Sequence, residues 1–361
     1  PRLRDDSRSL AESGRRGISR LDDDMTTEAI RAPATLEGVA ALAGVSRSTV
    51  SRVVNGSNSV SADAADAVQR AIAELDYVPN RAARSLARRQ THAIALVVPE
   101  DTTRFFGEPF FAAIVNGLND RVARSDYVLS LFIANDDADD KTTRYLRSAS
   151  VDGVLNVSHH TNDTFTDRIA TAVPVVYGGR PLRPRGNDYY VDVDNVRGGR
   201  DATQYLIAQG RRRIAHIAGQ LTMPAGVDRL TGFREALADA ELDPHVIEDG
   251  GFTAEGAADA MRRILARRDL PDAVFIASDL MARGALEVLV TEGIGVPDDI
   301  AIIGFDDSPM ATSASIKLTT MRQPSFTQGQ QMADVMLELL AGRKPPYVTM
   351  LAAELVVRDS A

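Results

Sequence analysis

Thr35-Leu36-Glu37-Gly38-Val39-Ala40-Ala41-Leu42-Ala43-Gly44-Val45-Ser46-Arg47-Ser48-Thr49-Val50-Ser51-Arg52-Val53-Val54-Asn55-Gly56 is the stretch on which the reading of this chain turns. Leu36, Val39, Ala40 and Ala43 recur at the spacing of one helix face, with Thr35 placed to cap it. Gly44 breaks the pattern. Ser46 then caps a second helix carrying Val50, Val53 and Val54, which Asn55-Gly56 ends. Two helices joined by a short Gly turn within roughly 20 residues suggest a helix-turn-helix. In that arrangement the first helix sets the angle and the second presents its N-terminal side chains to base edges in the major groove. Ala43, Val50 and Val53 then pack inward while Arg47, Ser48 and Arg52 face DNA. Arginine is the commonest bidentate reader of guanine, and Ser and Thr suit phosphates or base edges. On spacing alone, a small helical bundle with solvated arginines explains the stretch equally well.

Outward from this stretch the chain divides by composition. Residues 1–33 are polar, rich in Arg, Asp and Ser, and without a steady period, which predicts a disordered tail; Met25 is a candidate start within it. On the other side, Ser61 caps a third helix with Ala64, Val68, Ala71, Ile72 and Leu75 on one face, and Pro79 stops it. Residues 80–92 form a basic, Ala-rich linker. From 93 onward, apolar strand runs alternate with amphipathic helical stretches: Ile94–Val98, Val128–Ile133, Val151–Val157, Val173–Tyr177, Ile214–Ala218, Ala273–Ala277 and Ile300–Ile303. That alternation implies parallel sheet in βαβ units, and too many strands for one small sheet. The expected fold class is α/β, with an all-α helix-turn-helix head over 34–79. The core over 93–361 has two Rossmann-like subdomains, one of about 93–191 and 322–342, the other of about 192–321 and 343–361.

The bulk numbers agree with such a division. A length of 361 residues suits two or three domains, and 44% apolar residues suffice for ordinary cores. The absence of cysteine excludes disulfides, thiolate metal sites and cysteine nucleophiles, and fits a reducing cytoplasm. No run resembles a membrane span or a signal peptide. The net charge of −9 argues against a protein that simply coats nucleic acid, but its distribution is uneven. Residues 35–90 carry seven Arg against five acids, whereas 91–361 carry 27 basic and 38 acidic residues. A basic head on an acidic body is the asymmetry expected when only the head meets phosphate.

The quoted run closely resembles the N-terminal signature of the LacI/GalR family of transcriptional regulators. The match continues through Val60-Ser61 and Leu75-Asp76-Tyr77-Val78-Pro79-Asn80-Arg81-Ala82-Ala83-Arg84-Ser85-Leu86, and the resemblance extends from residue 35 to 361. It implies a periplasmic-binding-protein-like core and an allosteric repressor that binds palindromic operator DNA as a homodimer. It further implies that Arg47, Ser48 and Arg52 read bases and that Thr35, Ser46 and Asn55 contact phosphates. By the same resemblance Asn80 to Ala87, including Arg81 and Ala83, form a hinge helix, with Leu86 as the leucine wedged into the minor groove. A wedge costs unstacking, which is offset by a bent duplex that touches more protein. The alternative for this segment is a flexible basic linker, since a short isolated helix is marginal. No heptad tail follows Asp359-Ser360-Ala361, so a dimer rather than a tetramer is expected.

In the core, Pro109-Phe110-Phe111, Asp228-Arg229-Leu230-Thr231-Gly232-Phe233, Ala277-Ser278-Asp279 and Gly304-Phe305-Asp306-Asp307 match family stretches around the effector cleft. The effector residues implied are Phe110, Arg180, Arg229, Phe252, Ser278 and Asp306. Arg229 donates several hydrogen bonds and Asp306 accepts two, which suits a polyhydroxyl ligand, here a sugar. Ser278 stands where the family often has Asn, and Gly179 where many members have Asp, so the exact ligand is not readable. Arg229 has a competing role as an ion-pair partner of Asp228 or Glu235, Asp307 is read as structural, and His159-His160 as a solvated loop rather than a metal site. Gly293-Ile294-Gly295 reads as a turn between helix and strand. No cofactor is expected. An enzyme is disfavoured by the lack of a catalytic set, and a secreted sugar-binding protein by residues 35–90; a nucleobase or nucleoside effector is the alternative to sugar.

Overall fold

The computed structural model describes residues 34–57, 59–78, 90–134, 140–160, 168–181 and 183–361. The tail over 1–33 and the hinge residues Asn80, Arg81, Ala83 and Leu86 lie outside the described residues. The chain separates into two compact units, 1–80 and 81–361.

In the head, α1 (Leu36–Ala43) begins where the Thr35 hydroxyl accepts from the Gly38 backbone N–H at 3.1 Å, and ends at Gly44 in the left-handed region. Ser46 caps α2 (Arg47–Val54) the same way, accepting from Thr49 N–H at 3.1 Å. Ser61 holds the N-cap position of α3 (Ala62–Glu74), although its hydroxyl makes no capping bond. Val39, Val50 and Val68 meet in the centre, one from each helix, with Ala40, Ala71 and Tyr77 around them. Leu75 departs from the expected inward face: it lies past the last helical residue and is 36% exposed. Asp76 at φ 48° turns the chain so that Tyr77 enters the core instead.

The core has two six-stranded sheets. The first contains β1 (Ala93–Val98), β2 (Val128–Ile133), β3 (Gly153–Val157), β4 (Val175–Gly178), β5 (Tyr189–Val193) and β11 (Val348–Leu351), in the order β11-β5-β4-β3-β1-β2, all parallel. The second contains β6 (Ile214–Ala218), β7 (Val246–Asp249), β8 (Ala273–Ile276), β9 (Ala301–Asp306), β10 (Thr319–Arg322) and β12 (Glu354–Val356). Its order is β12-β10-β9-β8-β6-β7, and only the β10–β12 pair is antiparallel. Helices α4 (Thr102–Gly107), α5 (Pro109–Val122), α6 (Lys141–Arg147) and α12 (Ser325–Leu340) accompany the first sheet. Helices α7 (Asn195–Ala208), α8 (Pro224–Asp239), α9 (Ala254–Leu265), α10 (Asp279–Thr291) and α11 (Met310–Ser313) accompany the second. Gly293 turns the chain out of α10 at φ 73°, ahead of β9.

One expected boundary is corrected. Residues 343–361 do not all belong to the second subdomain, because β11 pairs with β5 in the first sheet. The chain therefore crosses between subdomains three times: after β5, after β10 and between β11 and β12. β11 alternates exposed and half-buried side chains at a sheet edge. It has no fully buried run to mark it in the sequence, and pairing with β5 alone decides where it goes.

Each subdomain is braced by two helices whose backbones touch. A Cβ on Gly117 of α5 would meet the carbonyl oxygen of Phe326, and one on Gly329 of α12 that of Ile114. The pair α7 and α8 repeats the device: Gly199 abuts Arg229 O, and Gly232 abuts Val196 O.

His216 on β6 is fully buried, its ring 5.0 Å from that of Phe233 and 4.8 Å from that of Phe275. Its Nδ1 donates to the Phe275 carbonyl at 2.9 Å. Burial pushes the imidazole pKa down from 6.5 to about 3. Between those values the unfolded state binds the extra proton, so stability is lost as pH falls below 6.5. At pH 5 this side chain costs about 2 kcal/mol. His216→Leu is expected to lose less stability than the wild type between pH 7 and pH 5, by about that amount. Denaturant unfolding at both pH values measures it, and equal losses in the two proteins contradict it.

Candidate ligand cavity and nucleic-acid interface

A cavity of about 80 Å³ opens between the two subdomains. Ser158 and His159 reach it from just beyond β3, Gly178 and Gly179 from the end of β4, Asp192 from β5, Phe252 from beyond β7 and Asp306 from the end of β9. These are the carboxyl ends of parallel strands, where backbone groups and loops converge and α/β folds place ligands.

Arg229 lies near the base of the cavity on α8 and is 4% exposed. Its Nε donates to Asn195 Oδ1 at 2.9 Å, Nη1 to the Ala277 carbonyl and Nη2 to Gln323 Oε1 at 3.3 Å. Nη1 is also 3.6 Å from Asp306 Oδ1. The guanidinium carbon lies 3.7 Å from the Phe305 ring centre and 5.8 Å from that of Phe252. Burial lowers the pKa of Arg229, yet a guanidinium stays charged in proteins. Asp306 accepts from Gln323 Nε2 at 2.9 Å and sits at φ 118°, an uncommon conformation for a residue with a side chain. Burial raises its carboxyl well above the ordinary range, against the pull of Arg229 and with the repulsion of Asp279.

Other carboxylates around the cavity respond similarly. Burial raises Asp192 to about 6 although it accepts from the Arg180 and Val193 backbone N–H groups at 2.7 Å each. Asp279, behind Asp306, is raised to about 7 by burial while accepting from Thr320 Oγ1 at 2.6 Å and Ser308 N at 2.8 Å. Burial also raises Glu108. Phe252, at 5% exposure, and half-buried Phe110 supply the flat apolar walls.

Of the implied effector residues, Phe110, Arg229, Phe252 and Asp306 line one cavity. Arg180 and Ser278 are not among the described lining residues. Arg180 instead spans the two subdomains to Asp228, with Nη2 2.7 Å from Oδ1 and Nε 3.3 Å from Oδ2. Ser278 is 1% exposed and caps α10, its hydroxyl accepting from Met281 N at 3.3 Å. Asp307 ties Arg322 and Arg358 together, a structural use. The solvated reading of His159-His160 is overturned. His159 lines the cavity at 7% exposure, and burial lowers its pKa to about 4. Its Nε2 donates to the Arg180 carbonyl at 3.0 Å. His160 bridges Glu100 Oε1 at 2.9 Å and Thr222 Oγ1 at 3.2 Å.

In the head, Arg47, Ser48 and Arg52 are exposed on α2, as are Thr35, Ser46 and Asn55 around it. Arg47 Nε lies 3.2 Å from Glu37 Oε1 in a solvent-exposed pair that breaks at little cost. The first turn of α2 carries no acidic residue. Its free N–H groups and its Ser and Arg side chains therefore present donors to an anion.

A family model described as bacterial regulatory proteins, lacI family, matches residues 35–80, and one described as a periplasmic binding protein-like domain matches 203–361. The HTH-type transcriptional regulator CelR of Thermobifida fusca is 47% identical over 334 residues, covering 90% of this chain and 98% of that protein. The chain belongs to the lacI family. The structure of a CelR-cellobiose complex superposes with a TM-score of 0.73 at 44% identity, covering 91% of this chain and 100% of the other. A lac repressor dimer bound to operator and the anti-inducer ONPF gives a TM-score of 0.82 at 27% identity, covering 91% and 99%. This lacI-family chain is thus a DNA-binding transcriptional regulator with a helix-turn-helix head and a periplasmic-binding-protein-like core. Among the described residues no helix is long and apolar enough to cross a membrane.

Sequence reasoning missed Arg104, Glu108, Asp192, Asn195 and Gln323, all of which line the cavity. Their common signal is a polar residue at the carboxyl end of a strand or at the start of the following helix. Asp192 is the penultimate residue of β5 and Asn195 opens α7. Glu108 sits at the N-cap of α5, before a proline at its first position.

Proposed function

We propose that this chain is a cytoplasmic repressor that binds a palindromic operator as a homodimer and changes its grip when a sugar of the β-linked disaccharide class, such as cellobiose, fills the cavity. The observation that carries the reading is the juxtaposition of Arg229 and Asp306 beneath Phe252 and Phe110. A pyranose needs donors and acceptors toward adjacent hydroxyls and flat apolar surface against its C–H faces. The similarity to a regulator whose structure is a cellobiose complex supports the ligand class. Arg47, Ser48 and Arg52 read bases, Thr35, Ser46 and Asn55 hold phosphates, Asn80, Arg81 and Ala83 bind DNA as part of the hinge helix, and Leu86 wedges into the minor groove. Closure of the cavity alters how the two hinge segments meet, and cellobiose shifts that equilibrium only by its differential affinity for the two states.

The test is fluorescence anisotropy on a palindromic duplex selected from a random pool, with and without cellobiose. A cellobiose-dependent change in operator affinity is expected. Arg52→Ala is expected to weaken the selected duplex about 10- to 100-fold, the worth of one bidentate base contact, and to relax sequence preference at one position per half-site. A uniform loss on all duplexes would assign Arg52 to phosphate instead.

A further inference from the structure

We infer that the cavity admits uncharged sugars and rejects their phosphate esters, because its buried carboxylates outnumber its guanidinium groups and each guanidinium is already ion-paired with a carboxylate. The inference rests on the sugar reading and adds the charge state of the ligand.

Among the described residues the wall carries two cations, Arg104 and Arg229, against three carboxylates, Glu108, Asp192 and Asp306. Two further acids, Glu100 and Asp279, stand directly behind, at 6% and 0% exposure. Arg104 is held by Gln220 Oε1 at 3.0 Å, Met223 Sδ at 3.4 Å, Glu100 at 3.2 Å and Glu108 at 3.6 Å. Arg229 is held by Asn195, Ala277, Gln323 and Asp306. Arg180, the nearest other guanidinium, is taken up by Asp228.

A phosphate that recruited Arg104 or Arg229 would compete with Glu108 or Asp306 for its charge, leaving a buried carboxylate less well compensated. The upward shifts of Glu108, Asp192, Asp279 and Asp306 point the same way: burial already disfavours negative charge here. A hydroxyl meets no such penalty, since it donates to a carboxylate oxygen and accepts from an arginine N–H without adding charge. The ligand must therefore arrive with its hydroxyls unesterified.

The experiment is isothermal titration of the full-length protein with matched pairs: cellobiose and cellobiose 6-phosphate, glucose and glucose 6-phosphate, inosine and inosine 5′-monophosphate. Every phosphate ester is expected to bind at least a hundredfold more weakly than a parent that binds, and to leave the operator anisotropy unchanged. An ester that binds within tenfold of its parent, or binds when its parent does not, overturns the inference. If inosine binds, cellobiose does not and inosine 5′-monophosphate is rejected, the sugar reading fails while the exclusion of phosphate is upheld.

Discussion

The Arg229→Met variant is expected to lose its response to cellobiose while still binding operator DNA. The wild-type guanidinium joins Asn195 from α7, the Ala277 carbonyl beyond β8, Gln323 in a crossover and Asp306 at the end of β9. A methionine fills part of the volume and makes none of these bonds. The direct loss to a polyhydroxyl ligand is two or more charge-assisted hydrogen bonds, each worth about 1.5–3 kcal/mol, hence a hundredfold or greater drop in affinity. A second effect adds to it. Removing the cation takes away the influence that lowers the Asp306 pKa, so that carboxyl moves further up. Breaking a buried pair by deleting one partner costs about 3–5 kcal/mol, and protonation of the survivor relieves part of that. Calorimetric titration with cellobiose, operator anisotropy and denaturant unfolding measure the ligand response, the DNA binding and the cost of the broken pair. Cellobiose affinity within fivefold of wild type would remove Arg229 from the ligand site.

Gly232→Val is expected to have the largest effect on folding of any single surface-neutral change in the core. A Cβ at 232 meets the backbone carbonyl of Val196 and the backbone N of Arg200, so no rotamer change relieves it. Overpacking that side chains can absorb costs about 1–3 kcal/mol; here α7 and α8 must move apart, and a cost of about 3 kcal/mol or more follows. The consequence extends to the cavity, because Arg229 lies three residues earlier on α8 and Asn195 opens α7. Any molecules that fold should thus bind cellobiose more weakly. Soluble yield and guanidinium unfolding test this, with Gly186→Ala as the control: a Cβ there meets nothing within 4 Å, and a change within about 0.5 kcal/mol is expected. Equal stability of the two variants would show that the α7–α8 crossing yields freely.

Much of the architecture is encoded at short range. The helix-turn-helix follows from apolar spacing in residues 35–56 and from Thr35, Gly44 and Ser46, whose caps and left-handed turn depend on neighbours no more than five residues away. Strands β1 and β8 are continuous apolar runs, and β6 is interrupted only by the buried His216, because both of their faces are covered. The resemblance to the lacI family likewise needed only contiguous residues, and it brought Phe110, Arg229, Phe252 and Asp306 to one cavity.

Other features depend on where distant segments meet. Nothing near Val348 tells that β11 joins the first sheet, since Tyr190 N–H finds its acceptor on Tyr347 only after the chain has crossed twice. Arg180 could have served a ligand, but Asp228, 48 residues away, lies close enough to take its guanidinium. Ser278 could have offered its hydroxyl to the cavity, but α10 begins at the next residue and uses it as a cap. His159, in a polar loop by composition, is buried because β4 and Arg180 fold over it. Local pattern was enough for the head, the seven apolar strand runs and the family, because periodicity and caps act over a few residues. Which polar groups remain available to a ligand depends on long-range contacts, because the hydrogen bonds that occupy the others join residues brought together by folding.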